Sequence, residues 1–354
     1  MAVHAVIMAG GKGERLWPLS TPDNPKQLHS FGTAESLLRS TFERILAIAD
    51  SSRIYVVTNM QIADKVREHL PEIPGENVLA EPVGRNTAPC IAYAALVIAR
   101  KDPDAVMAVF PADHWISDRQ GFTAAIGFGI EALRDHPRLL ITLGMVPDHP
   151  ETGYGYIAPG EVVARGPSHC LHRVLTFREK PDLKTAETYI EKGFLWNAGM
   201  FLWRVDTILD AFRVHLPGMH ALLSAMNERP QIRDQNVREF YDRVEAVSID
   251  YGVMEKASDV GVIPAEFGWN DIGSWDALGR IVPGDKFGNT VNGGVLLEDA
   301  AGNVVWATRK KIVLLGVNDL VVVEGKDAIL VCPRSRSQDV SRLARLVSED
   351  REKT

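Results

Sequence analysis

The sequence predicts an α/β fold, a mostly parallel sheet flanked by helices, with a small β-rich unit after it. Three observations predict this. Strand-length apolar runs at 3–9, 54–58, 105–110 and 139–143 lack polar alternation and are separated by helical stretches, as strands buried on both faces are. The stretch 87–100 is apolar on nearly every side, so its helix lies inside the fold. After Pro283 the texture turns to short apolar runs between turn signals, the pattern of a small all-β unit. With 354 residues the chain exceeds what one small core usually holds, and two domains are expected, 1–283 and 284–354.

The run 3–9 ends in glycines and reads as a buried strand. A helix follows over 36–49, and the β-branched, aromatic run 54–58 is a second strand. The helix 87–100 takes Thr87 as its N-cap, with Pro89 tolerated in the first turn. A strand over 105–110, a helix over 121–134 and a strand over 139–143 continue the alternation. Strands dominate 153–203 with one helix near 183–192, and helical segments run on to about Lys256. In the β-rich unit the apolar runs 295–297, 304–306, 312–315, 320–323 and 328–331 are divided by turn signals such as Gly302-Asn303 and Asn318-Asp319, which reads as a short solenoid. A closing helix fits 337–348, with Val340, Leu343, Ala344 and Val347 on one stripe.

Hydrophobic residues make up 45% of the chain and charged residues 24%, ordinary for a soluble globular protein. The formal net charge of −7 disfavours nucleic acid and anionic membranes as partners, so phosphate binding would need local basic residues. Cys90, Cys170 and Cys332 are far apart and odd in number, without zinc spacing or a disulfide framework, as expected of thiols in a reducing compartment. The N-terminus shows no basic region followed by an apolar stretch and a cleavage site. The longest apolar run, 90–99, falls far short of the roughly 20 residues that span a bilayer. A cytoplasmic protein is expected; the sequence does not give the oligomeric state, and a homodimer is allowed.

The first strand runs into Ala9-Gly10-Gly11-Lys12-Gly13-Glu14-Arg15-Leu16-Trp17-Pro18-Leu19-Ser20, followed by Pro25-Lys26-Gln27. Three glycines let backbone N–H groups approach a polyphosphate, and Lys12, Arg15 and Lys26 supply charge there. The spacing is neither that of a Walker loop nor that of the dinucleotide fingerprint, and the Trp-Pro pair blocks a regular helix directly after the glycines. A glycine turn at the carboxyl end of a buried strand is where open α/β sheets bind ligands.

The run from Gly10 to Gln27 resembles the signature of the sugar-1-phosphate nucleotidyltransferases, and its Leu-Trp-Pro-Leu-Ser continuation is similar to the guanylyl- and mannosyl-specific branch. The resemblance implies a Rossmann-like nucleotide-diphospho-sugar transferase fold, with a C-terminal unit similar to the short β-helix of single-activity members. It implies GTP and mannose 1-phosphate as substrates and Mg²⁺ as cofactor. Glu14 departs from the family, where many members carry a small hydroxyl residue; a carboxylate repels phosphates, so Glu14 is expected to point away from the site.

Further motifs in family order, over about residues 3–280, agree. Glu81-Pro82-Val83-Gly84-Arg85-Asn86-Thr87-Ala88-Pro89 is similar to the guanine- and ribose-side segment. Nucleotide contacts are thus implied for Ala9, Gly10, Gly11, Gly13, Glu81, Asn86 and Ala88, with Glu81 accepting the N1 and N2 protons of guanine. Asp113, after the strand 105–110, suits Mg²⁺, which takes few protein oxygens beside phosphate oxygens. Asp271, in Gly268-Trp269-Asn270-Asp271-Ile272-Gly273-Ser274-Trp275, would be the second metal carboxylate by the resemblance; Trp269 and Trp275 also read as a rigid aromatic turn.

Phe177-Arg178-Glu179-Lys180-Pro181 looks like the family's sugar-phosphate motif, with Lys180 on the phosphate and Glu179 on sugar hydroxyls. Neighbours in a regular strand face opposite ways, so both serve one pocket only if the chain twists before Pro181. Asn197 is expected on sugar hydroxyls and Gly153 in the sugar's floor. Asp250-Tyr251-Gly252-Val253-Met254-Glu255-Lys256 also resembles the family, without an assigned role.

A sugar 1-phosphate is already anionic near neutral pH, its second pKa being about 6, so it needs no general base to attack the α-phosphorus. The difficulty is bringing two polyanions together, which calls for positioning and charge neutralisation. In this reading Arg15, Lys26 and Lys180 are the catalytic cations. Rival readings are another nucleotide or sugar 1-phosphate, a catalytically silent nucleotide-sugar-binding regulatory subunit, and a dinucleotide-dependent dehydrogenase, which the missing fingerprint disfavours.

Overall fold

The computed structural model describes residues 1–11 and 13–351, the last four of these by their backbone alone. Two compact units form, and both are discontinuous in sequence. One comprises Met1–Gly10, Thr41–Ala112 and Ile116–Trp269; the other comprises Gly11–Ser40, Asp113–Trp115 and the chain from Asn270 on. The expected boundary at residue 283 falls inside the second unit.

In chain order the strands up to residue 270 are β1 (Val3–Ala9), β2 (Ile54–Asn59), β3 (Val78–Glu81), β4 (Val106–Pro111), the two-residue β5 (Trp115–Ile116), β6 (Leu140–Met145), β7 (Gly155–Arg165), β8 (Cys170–Glu179), β9 (Leu195–Arg204), β10 (Val260–Ala265) and the two-residue β11 (Trp269–Asn270). The helices are α1 (Leu37–Ile45), α2 (Ala63–His69), α3 (Thr87–Lys101), α4 (Arg119–Asp135), α5 (Leu183–Glu191), α6 (Val205–His215), α7 (Pro217–Asn227) and α8 (Asp234–Arg243).

The first unit is built on a nine-stranded sheet of order β3-β2-β1-β4-β9-β6-β10-β8-β7. The β3-β2-β1-β4 half is parallel, as is the β6–β10 pair. β9 enters antiparallel between β4 and β6, and β7 and β8 form an antiparallel edge. Its apolar runs explain the burial: β1, β2, β4 and β6 are almost wholly enclosed. α3 packs against β1, β2, α6 and α7, while α4 packs against β9 and β10. Ten of the fifteen residues of α3 are buried, as its all-round apolar surface requires.

The N-cap of α3 is Asn86 rather than the expected Thr87. The Asn86 side chain accepts from the Thr87 N–H at 2.9 Å, while the Thr87 hydroxyl accepts from the Ile249 N–H at 2.8 Å. Both residue types cap well, and a contact from a distant segment decided between them. α1 is shorter than the predicted 36–49, and α2 and β3 are additional elements between the predicted ones.

In the second unit α9 (Trp275–Ile281) precedes β12 (Thr290–Asn292), β13 (Val295–Glu298), β14 (Val304–Trp306), β15 (Ile312–Leu315), β16 (Leu320–Glu324) and β17 (Ile329–Pro333), and α10 (Val340–Arg351) follows. β12, β14 and β16 stack in parallel, as do β13 and β15, so two successive coils repeat, and β17 pairs antiparallel with β16. The solenoid reading therefore holds. Its core joins Leu16, Phe31, Trp275, Leu278, Val304, Trp306 and Val323. Among the described residues no helix is long and apolar enough to cross a membrane.

Candidate active site

β1 and β4 run parallel with Met8 opposite Pro111, so both deliver their following loops at the same sheet edge. The carboxyl ends of β2 and β3 lie at that edge too, with Asn59 opposite Glu81. It is the edge at which open α/β sheets bind ligands.

After β1 the chain turns through Gly13, whose φ of 61° is in the left-handed region. A Cβ there would meet Ser20 Oγ at 2.6 Å and Lys26 Cβ at 2.7 Å, so glycine is required both for conformation and for space. Only a short 3-10 turn, Glu14–Leu16, follows before Trp17-Pro18, as the proline implies. Lys12 lies outside the described residues.

The Lys26 side chain is 7% exposed, and its Nζ donates to Asp113 Oδ2 at 2.8 Å and to the Asp271 carbonyl. The two residues predicted to hold the metal thus meet one ammonium group, Asp113 through its carboxylate and Asp271 through its main-chain carbonyl. Burial by itself would raise the Asp113 carboxyl, but Lys26 and then His114 outweigh it and hold it below the usual carboxylate range. Asp271 Oδ1 accepts from the Gly273 N–H at 2.8 Å. A Cβ on Gly273 would lie 2.8 Å from Asp271 Oδ2 and 3.2 Å from Arg15 Nη1, so this glycine keeps open the space between carboxylate and guanidinium. Ile272 between them is fully buried at φ 45°, an outlier for a β-branched residue and a sign of local strain held by its surroundings.

These groups border a cavity of about 400 Å³ lined by Gly11, Gly13, Arg15, Lys26, Asp113 and Gly273, among others. Two further findings were not expected. Glu14 also lines it, rather than pointing away, because its carboxylate is neutralised by Arg345 Nε at 3.0 Å. Ser341 and Arg345 of α10 line the same cavity.

Among the described residues no group of three or more His, Cys, Asp or Glu side chains is arranged to hold a metal by itself. Asp113 lines the cavity and Asp271 directly precedes its lining residues Ile272 and Gly273; two hard carboxylates fit Mg²⁺, which keeps water and phosphate oxygens as its remaining ligands.

Glu81 is 3% exposed; its Oε1 accepts from the Tyr241 hydroxyl at 2.8 Å, and its Oε2 is 3.1 Å from where a Gly10 Cβ would stand. Burial pushes its carboxyl up to about 7, against the lowering effect of Tyr241. Ala88 is fully buried with its N–H on the Val247 carbonyl, and Ala9 is 1% exposed, so both side chains pack. Arg85 Nε donates to the Tyr241 carbonyl at 3.0 Å, a structural role for this residue. Asn86 is exposed at φ 70°.

The third group lies wholly in the first unit. Gly155 is opposite Glu179, and Tyr156 is opposite Trp196. A Cβ on Gly155 would stand 2.4 Å from Glu179 Oε2 and 3.2 Å from Asn197 Cβ, so glycine lets these two side chains converge. Lys180 adopts φ 51°, the expected break before Pro181, and its Nζ donates to Glu179 Oε1 at 2.8 Å. Burial lowers the Lys180 ammonium, but the Glu179 carboxylate outweighs it and the net shift is upward. Asn197 accepts from Thr142 Oγ1 at 3.0 Å and the Gly199 N–H at 3.1 Å, and donates to Asp250 Oδ1 at 2.8 Å. The Gly153 N–H is held by Glu151 Oε1 at 2.8 Å, and Tyr154, Trp196 and Trp269 form an aromatic cluster with ring centroids 5.1–6.4 Å apart. Trp275 instead is buried in the second core, its Nε1 donating to the Trp17 carbonyl.

Asp250 is the residue the motif left without a role. It opens a π-helical turn, Asp250–Met254, a rare geometry that concentrates at functional sites. Burial first, then Glu179, pushes its carboxyl up to about 7. Its signal in the sequence was an acid in a family-like segment; the partner that gives it meaning is 53 residues away.

A glycine turn after a buried strand, with two cations and two acids beside it, is suited to bind a polyphosphate. The profile of the family described as Nucleotidyl transferase matches residues 4–286, and the chain belongs to that family. The MannoseP isomerase/GMP-like beta-helix domain matches residues 293–346.

Mannose-1-phosphate guanylyltransferase of Escherichia coli (strain K12) is 37% identical over 98% of this chain and 74% of its own length; that of Salmonella montevideo is 38% identical over 96% and 73%. A crystal structure described as mannose-1-phosphate geranyltransferase from Thermus thermophilus matches with TM-score 0.88 and 35% identity, covering 98% of this chain and all of that one. Mannose-6-phosphate isomerase from Helicobacter pylori, at 24% identity and TM-score 0.61 over 76% of this chain, shares the fold alone.

Proposed function

We propose that the chain transfers a guanylyl group from GTP to α-D-mannose 1-phosphate, giving GDP-α-D-mannose and diphosphate. A sugar-phosphate oxygen forms a bond to the α-phosphorus while the bond from that phosphorus to the bridging oxygen of the β-phosphate breaks, and diphosphate leaves with the electron pair. The observation that carries this reading is the Lys26–Asp113–Asp271 cluster with Arg15 beside a cavity bordered by Gly11 and Gly13. Backbone N–H groups and two cations suit a triphosphate, and neither a general base nor a covalent nucleophile is required.

In this reading Gly10, Gly11 and Gly13 approach the phosphates, and Arg15 and Lys26 balance charge on the departing diphosphate. Asp113 and Asp271 would hold Mg²⁺, which supplies charge neutralisation at the phosphates. Glu81 Oε2 and Asn86 attend the base and ribose. Lys180 holds the sugar's phosphate, and Glu179 and the pre-oriented amide of Asn197 take its hydroxyls. The free thiols of Cys90, Cys170 and Cys332 accord with a cytoplasmic setting.

The test is a panel of four nucleoside triphosphates against mannose, glucose and heptose 1-phosphates, following diphosphate release. GTP with mannose 1-phosphate is expected to show the highest kcat/KM. A higher value for another pair would replace the substrate assignment, and no turnover with any pair would favour a silent binding subunit.

A further inference from the structure

α10 brings Arg345 to the cavity bordered by Gly11, Arg15, Lys26 and Asp113, although Arg345 is 330 residues from Arg15 in the chain. No motif pointed to it. Its Nε lies 3.0 Å from Glu14 Oε2, with the Arg345 side chain 70% exposed and that of Glu14 31%. An ion pair this open to water is worth about 1 kcal/mol at most. A phosphate offers the same guanidinium a two-pronged, doubly charged acceptor, which binds more strongly. Lys26 is already committed to Asp113 and the Asp271 carbonyl. Arg15 Nη1 rests on Gln338 Oε1 at 3.3 Å, a neutral partner a polyanion outcompetes. The two guanidinium groups at the cavity are therefore both loosely held, one by a neutral amide and one by Glu14.

We propose that Arg345 is a further phosphate-binding residue of this site, taking the β- and γ-phosphates of the nucleotide and hence the diphosphate product, with Glu14 as its holding partner when no ligand is bound. The proposal deepens the guanylyl-transfer reading and rests on it for the ligand's class. It also explains why an acid is tolerated in the glycine loop: Glu14 faces a cation that the C-terminal helix supplies, so the loop's net charge toward a phosphate is not reversed.

The experiment uses the full chain and inorganic diphosphate with Mg²⁺ as probe, by calorimetry, beside steady-state kinetics. Arg345→Ala is expected to weaken diphosphate binding and raise KM for GTP about 5- to 10-fold, leaving KM for mannose 1-phosphate unchanged. Arg345→Lys recovers part of the loss, because lysine keeps the charge without the fork. Glu14→Gln, which releases Arg345, leaves diphosphate binding equal or tighter. Wild-type diphosphate affinity in Arg345→Ala, with unchanged helical circular dichroism, overturns the proposal, as does equal weakening toward both substrates. Weaker diphosphate binding in Glu14→Gln overturns the holding role. If the wild type binds diphosphate through Arg345 but turns over no sugar phosphate, this inference stands and the substrate reading falls.

Discussion

Asp250 shows how a single half-buried acid can couple the cluster of Glu179, Lys180 and Asn197 to pH. Its carboxyl is pushed up to about 7, first by burial and then by Glu179, while in an unfolded chain it titrates near 4. The folded state therefore holds a proton that the unfolded state has released between about pH 4 and 7. The sign follows: this group's contribution to stability is fully present below the unfolded value and is lost as pH rises through 7. Glu81, also near 7, acts in the same direction. Each group adds at most about 1.4 kcal/mol per pH unit to the slope. Asp250→Asn keeps an acceptor for Asn197 but cannot titrate. Urea unfolding at pH 5, 6, 7 and 8 should show a shallower loss of stability in this variant than in the wild type; parallel curves would mean that Asp250 is ionised throughout.

At the scale of an element, the β-helical coils are held by asparagines rather than by strand pairing alone. Asn303 is fully buried; its Nδ2 donates to Asn289 Oδ1 at 2.9 Å and to the Val317 carbonyl at 3.0 Å, and its Oδ1 accepts from the Leu320 N–H at 3.0 Å. One side chain thus ties the turn before β14 to the turns before β12 and β16. Asn303→Ala leaves the part-buried Leu320 N–H and Val317 carbonyl without this partner, at about 1–2 kcal/mol each. A loss of about 2–4 kcal/mol is expected in chemical denaturation, and a change below about 1 kcal/mol would show that water replaces the amide. The same position illustrates what was legible. Gly302-Asn303 read correctly as a turn from its residue types. That the amide faces inward and ladders with Asn289 depends on the stacking of coils 14 residues apart.

At the scale of the whole molecule, each compact unit has its own core, and Arg15, Lys26, Asp113 and Asp271 belong to the second. Leu16, next to Arg15, packs in that core with Phe31, Trp275 and Trp306. The three rings meet with centroids 5.8–6.4 Å apart. A glycine-rich loop with few apolar residues cannot order itself, so this aromatic cluster fixes the segment that carries Arg15. Trp306→Ala should cost about 3–5 kcal/mol. It should also weaken diphosphate binding in calorimetry, although Trp306 does not line the cavity. Unchanged diphosphate affinity alongside the stability loss would show that the loop is held by other contacts.

Local composition by itself determined the strand-and-helix alternation, the buried helix after Asn86, the turn-rich β unit and the charged glycine loop after the first strand. Each follows from short-range physics: apolar periodicity, φ > 0 at glycine, proline's missing N–H. Tertiary structure alone decided that β9 runs antiparallel between β4 and β6, that Asn86 rather than Thr87 caps α3, that Asp250 meets Asn197 and that Glu14 meets Arg345 across 331 residues. The reason is that hydrogen-bond and charge partners are chosen by distance in space. An acid or an amide carries the same local signal whether it meets solvent, a metal or a guanidinium brought from the far end of the chain.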